Sequence, residues 1–256
     1  MSIAIADHIR DIPRSGIRDF FEIVQSMDDV ISLGIGDPDT PTPGLIVDRM
    51  QQAVADPSTH QYPSNRGRQS FRDSVAGFYD RRFGVSLDPE TEVIPALGAK
   101  EAIANLNLAL LDPDDVALAS DPGYPVYTMG PLLVGADPVA MPLVPELGFQ
   151  PDFDAIPADV LDRARIMYLN YPNNPTGAVV EDDLFDRAVA LARKHDLIVI
   201  HDNAYSEITY DGYVAPSFLA TPGAKDVGIE VFSLSDRKST RLNSSHEWIS
   251  RMPSSA

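Results

Sequence analysis

Leu197-Ile198-Val199-Ile200-His201-Asp202-Asn203-Ala204-Tyr205 opens with four consecutive apolar residues and turns polar within one step. Consecutive rather than alternating apolar positions mark a strand covered by helices on both faces. Outward from it, apolar runs with β-branched residues alternate with helical patterns, the signature of a βα-repeating, mostly parallel sheet. The predicted fold class is α/β, a three-layer αβα sandwich. Strands are predicted near Glu92–Leu97, Val116–Ser120, Pro138–Leu143, Arg165–Asn170, Leu197–Asp202 and Glu230–Leu234. Crossover helices are predicted near Lys100–Leu111, Tyr124–Val134, Pro157–Arg163 and Asp182–Lys194, with two earlier ones near Gly44–Ala55 and Arg68–Phe83. Ligands of such open sheets sit at the carboxyl ends of strands. The polar motifs at 98, 121–124, 170–177, 202 and 233–235 all fall there.

At 256 residues, 44% hydrophobic and 23% charged, the chain is long enough for one large domain with a buried core. Acidic side chains outnumber basic ones 38 to 20, for a net charge of -18. That balance repels phosphate backbones and anionic lipid surfaces, so nucleic acid and membrane are not expected partners, and small-molecule chemistry is. The absence of cysteine excludes disulfides, thiolate catalysis and Cys-ligated zinc. No cationic segment precedes the short apolar start, and no apolar run approaches the ~18 residues of a membrane span. A cytoplasmic enzyme is the expectation.

From Asp236 onward the character changes. The last stretch carries six serines and four basic against two acidic residues, with no sustained period of 2 or 3.6. The string Lys238-Ser-Thr-Arg-Leu-Asn-Ser-Ser-His246 resembles peptide encoded by linker DNA, so residues 236–256 are expected to be a foreign or disordered tail.

Several motifs carry chemistry. Asp202 ends a buried strand, and Tyr205 follows three residues later. Gly98-Ala99-Lys100 closes one strand and opens a helix, where small residues bring backbone N–H groups and the positive helix end to an anion. Asp121-Pro-Gly-Tyr124-Pro-Val-Tyr127 sets Tyr124 on a tight turn, where its ring can stack on a flat ligand; Tyr127 reads equally as helix packing. Asn174 precedes Pro175 in Asn170-Tyr-Pro-Asn-Asn-Pro-Thr-Gly177, and proline is the residue that readily permits a cis peptide. Ser233 and Ser235 end the last strand, and Gly36 lies in Ile31-Ser-Leu-Gly-Ile-Gly-Asp-Pro-Asp. That segment is not a dinucleotide fingerprint, because neither a third glycine nor a helix start follows at the required spacing.

Over about residues 15–235 this succession resembles the fold-type I pyridoxal 5'-phosphate (PLP) aminotransferases of class I/II. The strings Gly-Ile-Gly-Asp-Pro-Asp, His-Gln-Tyr-Pro-Ser and Asp-Asn-Ala-Tyr-Ser-Glu-Ile are most similar to its LL-diaminopimelate branch. The resemblance implies an aspartate aminotransferase-like, incomplete PLP-binding large domain at 44–235, preceded by an arm belonging to the small domain at 1–43, the rest of that small domain being largely missing. It implies Asp202 beside the pyridine nitrogen, Tyr205 at the phenolic oxygen and Tyr124 on the ring face. Gly98, Ala99, Lys100, Ser233 and Ser235 fall to the phosphate, Asn174 to cofactor and substrate, and Gly36 to the substrate carboxylate. Tyr62 matches a tyrosine lent to the neighbouring subunit's phosphate, so a homodimer is implied. Substrates would be an L-amino acid, with LL-2,6-diaminopimelate and aspartate the candidates, and a 2-oxo acid, with glutamate and 2-oxoglutarate the expected pair on one side.

One departure is decisive. In the family a lysine directly follows Ser-x-Ser, with a glycine six and an arginine eight residues further; here those positions hold Asp236, Leu242 and Ser244. The amine that anchors the cofactor is missing. Lys238 does not replace it, since two residues of extended chain displace a side chain by roughly 6 Å. The chain as written is therefore expected to lack transaminase activity. A non-catalytic PLP-binding protein and an aminotransferase-like lyase are the alternatives.

Overall fold

The structure, a computed structural model, describes residues 7–10, 12, 23, 24, 27, 30, 31, 41–181 and 183–234. Gly36, Ser235, Asp236, the tail 236–256 and most of the arm 1–43 lie outside the described residues.

Five strands form one sheet: β1 (Val116–Asp121), β2 (Asp137–Pro142), β3 (Ala164–Asn170), β4 (Ile198–Asn203) and β5 (Gly228–Phe232). Their order is β2-β1-β3-β4-β5, and every neighbouring pair is parallel. The longer helices are α1 (Gly44–Ala55), α2 (Gln69–Phe83), α3 (Ala99–Leu110), α4 (Val126–Val134) and α5 (Leu184–His195). Helix α5 shows why such segments are helical. Leu184, Phe185, Ala188, Val189 and Ala192 recur on one stripe and are buried, while Arg193, Lys194 and His195 complement the negative end of the helix dipole. Helix α4 stops at Gly135, whose φ of 82° turns the chain directly into β2.

Strand alternation divides the core in two. Val116, Leu118, Met167, Leu169, Val199 and Phe232 point to one face, covered by Val75 and Tyr79 of α2 and by the α5 stripe. Ala117, Ala119, Ile166, Tyr168, Ile200, Ile229 and Val231 point to the other, covered by Ala102, Ile103 and Leu106 of α3 and by Val126 and Tyr127 of α4. Each large apolar side chain so buried contributes about 1.5–3 kcal/mol. In the β3–β4–β5 register Asp202 lies between Asn170 and Val231, and His201 lies beside Glu230 on the opposite face. That register brings together residues far apart in sequence.

Three expectations need correction. Glu92–Leu97 is not a strand: Pro95 cannot donate to a ladder, the Leu97 amide donates to the Glu101 carboxylate, and Val93 buries its side chain without strand pairing. Pro157–Arg163 contracts to a single turn, Ala158–Leu161. Helix α4 starts at Val126, because Tyr124 and Pro125 belong to the turn that leads in. Among the described residues no helix is long and apolar enough to cross a membrane.

Candidate active site

The site lies at the carboxyl ends of β3 and β4, on the α3/α4 face. Asp202 is its centre. Its Oδ2 accepts a hydrogen bond from the Tyr127 hydroxyl at 2.7 Å, and its main-chain oxygen accepts from the Asn170 amide at 2.8 Å. The Asn170 Oδ1 in turn accepts from the Asn174 backbone N–H at 2.8 Å, and the Asn174 side-chain amide donates to the Tyr205 hydroxyl at 3.3 Å. A continuous chain of polar contacts thus joins Tyr127, Asp202, Asn170, Asn174 and Tyr205. The Asn174–Pro175 peptide is cis, as are Tyr171–Pro172 and Asp121–Pro122.

The second oxygen of Asp202 is different. Oδ1 is buried and has no hydrogen-bond partner among the described residues. Burial drives the Asp202 carboxyl above its ordinary range, against the Tyr127 hydrogen bond, the nearby His201 and the Ala204 amide, which all favour the anion. A buried carboxylate oxygen left in this state costs free energy until a cationic donor reaches it. This is the observation that tests the expected cofactor, and a protonated pyridine nitrogen fits it.

Around Asp202 the rings are ordered. Tyr124, half-buried, meets Tyr127 edge-on at 6.0 Å and 79°. Tyr127 stacks on Tyr168 at 4.9 Å and 16°, and the Tyr168 hydroxyl donates to Asn107 Oδ1 at 2.7 Å. Burial and the charge of Asp202 push both the Tyr124 and the Tyr127 phenols up, so both stay neutral donors. Gly98, buried, precedes α3 with φ 107° and ψ 152°. The Ala99 and Lys100 amides in the first turn have no partner within the helix, as at any α-helix start. Helix α3 packs against α4 and β5. Ser233 is buried just beyond β5.

Asp202, Tyr205, Asn174 and Tyr124 are brought together as expected. Tyr62, which the resemblance assigns to a neighbouring subunit, is fully exposed on the loop between α1 and α2, lining a depression of about 510 Å³ with Arg68 and Arg72. Two residues were missed. Tyr127 is no mere packing residue, since its hydroxyl holds Asp202. Asn170 links Asp202 to Asn174, a role its position at a strand end inside the quoted motif could have signalled.

Tyr127→Phe tests the first of these. Loss of the donor raises the Asp202 carboxyl further, and an acid with a raised folded value weakens folding as pH rises through that value. The expected loss is about 1.5–3 kcal/mol at neutral pH and smaller in mild acid, read by urea denaturation. Equal loss at both pH values would show that the phenol only fills space.

Known proteins resemble this chain closely. The sequence profile of the family described as aminotransferase class I and II matches residues 28–237. The chain is 55% identical over 207 residues to the LL-diaminopimelate aminotransferase of Moorella thermoacetica, covering 81% of this chain and 53% of that protein. To the enzyme of the same name from Desulforudis audaxviator it is 48% identical over 239 residues, 92% of this chain and 61% of the other. The substrate-bound BacF structure from Bacillus subtilis superposes with a TM-score of 0.91 at 38% identity, covering 98% of this chain and 64% of that one. The chain thus spans about half the length of the first of these relatives. With the sheet order, the Asp202–Tyr205–Asn174 constellation and these likenesses together, the chain belongs to the class I and II aminotransferases, a family of PLP-dependent transferases.

Proposed function

We propose that this chain is the cofactor-binding part of an aminotransferase whose whole protein moves an amino group between LL-2,6-diaminopimelate and 2-oxoglutarate. We further propose that the chain as it stands does not complete that reaction. The carrying observation is the buried Oδ1 of Asp202, which has no hydrogen-bond partner among the described residues, on a carboxylate whose other oxygen is held by Tyr127. The 55% identity to an LL-diaminopimelate aminotransferase supports the substrate.

When bound, PLP supplies an electron-withdrawing ring that stabilises negative charge at the substrate α-carbon. The chain's own groups then have separate tasks. Asp202 keeps the proton on the ring nitrogen through Oδ1, while Tyr127 holds its other oxygen. Tyr205, steadied by the Asn174 amide, donates at the phenolic oxygen. The Ala99 and Lys100 amides, with Gly98, Ser233 and Ser235, receive the phosphate. Tyr124 covers the ring face, and Gly36 and Asn174 meet the substrate carboxylate. Tyr62, exposed as it is, is read as donated to the phosphate of a second subunit in a homodimer. A cytoplasmic location goes with this biosynthetic reading.

Asp236 offers no amine where the family has its lysine, and loss of a general acid–base alone costs about 10²–10⁴-fold in rate. Incubation with equimolar PLP followed by borohydride is expected to leave no stoichiometric adduct, and LL-diaminopimelate with 2-oxoglutarate to give no glutamate. Pyridoxamine 5'-phosphate, which needs no lysine, is expected to bind. A reduced adduct on Lys238 accompanied by turnover would overturn the inactivity; failure of pyridoxamine phosphate to bind would overturn the site.

A further inference from the structure

On the face of the sheet opposite Asp202, His201 and Glu230 form a pair with no solvent exposure. His201 Nδ1 lies 2.9 Å from Glu230 Oε2, and Nε2 lies 3.2 Å from the Tyr171 carbonyl oxygen. A carboxylate and a carbonyl are both acceptors. A neutral imidazole donates from one nitrogen only, so one of the two contacts would set lone pair against lone pair. The pair therefore needs one more proton than a neutral histidine and a carboxylate supply. Glu230 is poorly suited to hold it. Its Oε1 accepts from Tyr79 Oη at 2.7 Å and Asn203 Nδ2 at 3.0 Å, its Oε2 accepts from the Phe218 amide at 2.8 Å, and the Ser217 hydroxyl reaches both oxygens. Donors on both oxygens stabilise the anion and leave the proton to His201.

We propose that His201 is a buried imidazolium that serves as a positioning residue for the candidate site. It acts by two routes, and the first rests on the reading of Asp202 as the partner of the ring nitrogen. His201 precedes Asp202 on β4, so the two side chains stand on opposite faces and do not touch. Through the poorly polarisable interior between them, the positive charge favours the Asp202 carboxylate against its burial. The second route is mechanical. Nε2 holds the Tyr171 carbonyl, the entry to the turn that presents Asn174 to Tyr205.

The groups packed around this unit are Glu230 from β5, the Tyr79 hydroxyl from α2, the Phe185 ring of α5 at 5.0 Å, the Phe218 ring at 6.2 Å and the Ser217 hydroxyl. Around Asp202 they are the phenols of Tyr124, Tyr127 and Tyr205 and the neutral amide of Asn170. Of these, Glu230 and Asp202 are the acidic charges that His201 meets.

Nitrogen-15 NMR of the labelled full chain tests the protonation directly. Both His201 ring nitrogens are expected at protonated-imidazole shifts in the folded chain; a bare-nitrogen resonance overturns the proposal. Glu230→Gln removes the counter-charge. In it His201 is expected to lose its second proton, and the carbon-13 titration of the Asp202 carboxyl, assigned by its absence in Asp202→Asn, moves to higher pH. A destabilised Glu230→Gln chain whose Asp202 titration stays in place would make the pair purely structural and sink the proposal. If Glu230→Gln fails to fold, the ring-nitrogen spectrum of the unmodified chain still decides. Unchanged pyridoxamine phosphate affinity in Asp202→Asn is a separate failure: it removes the site reading while leaving the state of His201 as measured.

Discussion

Asp202→Asn is expected to lower the affinity for pyridoxamine 5'-phosphate by about 2–5 kcal/mol, the cost of losing one member of a buried hydrogen-bonded charge pair. That is a loss of roughly 30-fold to several thousand-fold, since each 1.4 kcal/mol is tenfold. The same change is expected to act on folding with the opposite sign. In the unliganded chain Asp202 is a buried acid whose carboxyl burial pushes up, and one of its oxygens has no hydrogen-bond partner among the described residues. A neutral amide of the same shape removes that desolvation cost and still accepts the Tyr127 hydroxyl. The variant should therefore be as stable as the original chain or more so at pH 8, with the gain fading in acid as the original Asp202 takes up its proton. Calorimetric titration with the ligand and urea denaturation at two pH values give both numbers. Weaker binding with weaker folding would mark Asp202 as structural; unchanged binding would remove it from the site. A group that costs stability and gains binding is the pattern of a functional position.

Much of this is legible in the sequence. Consecutive apolar residues such as 197–200 forced a doubly covered strand, and the polar strand ends pointed to one edge of the sheet. Asp202, Asn174, Tyr205 and Tyr124 stand out because the motifs that hold them resemble those of the family. Tyr127 and His201 were hidden for a physical reason. Each looks like packing in sequence, and its role appears only when the register sets a partner beside it: Asp202 is 75 positions from Tyr127, and Glu230 29 from His201. The Glu92–Leu97 error has a related cause. Local pattern reports burial, whereas a strand also needs a neighbour, and Pro95 together with the Leu97–Glu101 contact takes the segment out of any ladder.

Glu230→Leu is expected to be the most destabilising of these substitutions. Its carboxylate gathers His201, Tyr79, Asn203, Ser217 and the Phe218 amide, and neither it nor His201 has any solvent exposure. These come from α2, β4 and the 217–218 turn, so one side chain ties three segments to β5. Removing it leaves a buried histidine without its counter-charge and several donors without an acceptor, a loss of about 3–5 kcal/mol. Set against the 5–15 kcal/mol that typically holds a domain together, that approaches unfolding. The pH dependence follows from the direction of the carboxyl. Burial opposes ionisation of Glu230, but the hydrogen bond and charge of His201, with Tyr79 and Asn203, outweigh it and hold the carboxyl below its ordinary value of 4.5. A depressed acid stabilises the fold above its unfolded value, and that contribution disappears as pH falls through the folded one. The gap between original and variant should therefore be widest at neutral pH and close progressively below the ordinary glutamate range. Adding His201→Leu removes the stranded imidazole and is expected to recover part of the loss, because replacing both members of a buried ion pair costs less than breaking it. Recovery stays partial, since Tyr79, Asn203 and Ser217 still lack their acceptor. Urea denaturation of the two variants from pH 4 to 8 measures this. A single substitution costing under about 1 kcal/mol, or a double one no better than the single, would mean that Glu230 is a tolerated passenger in the core and not its polar tie.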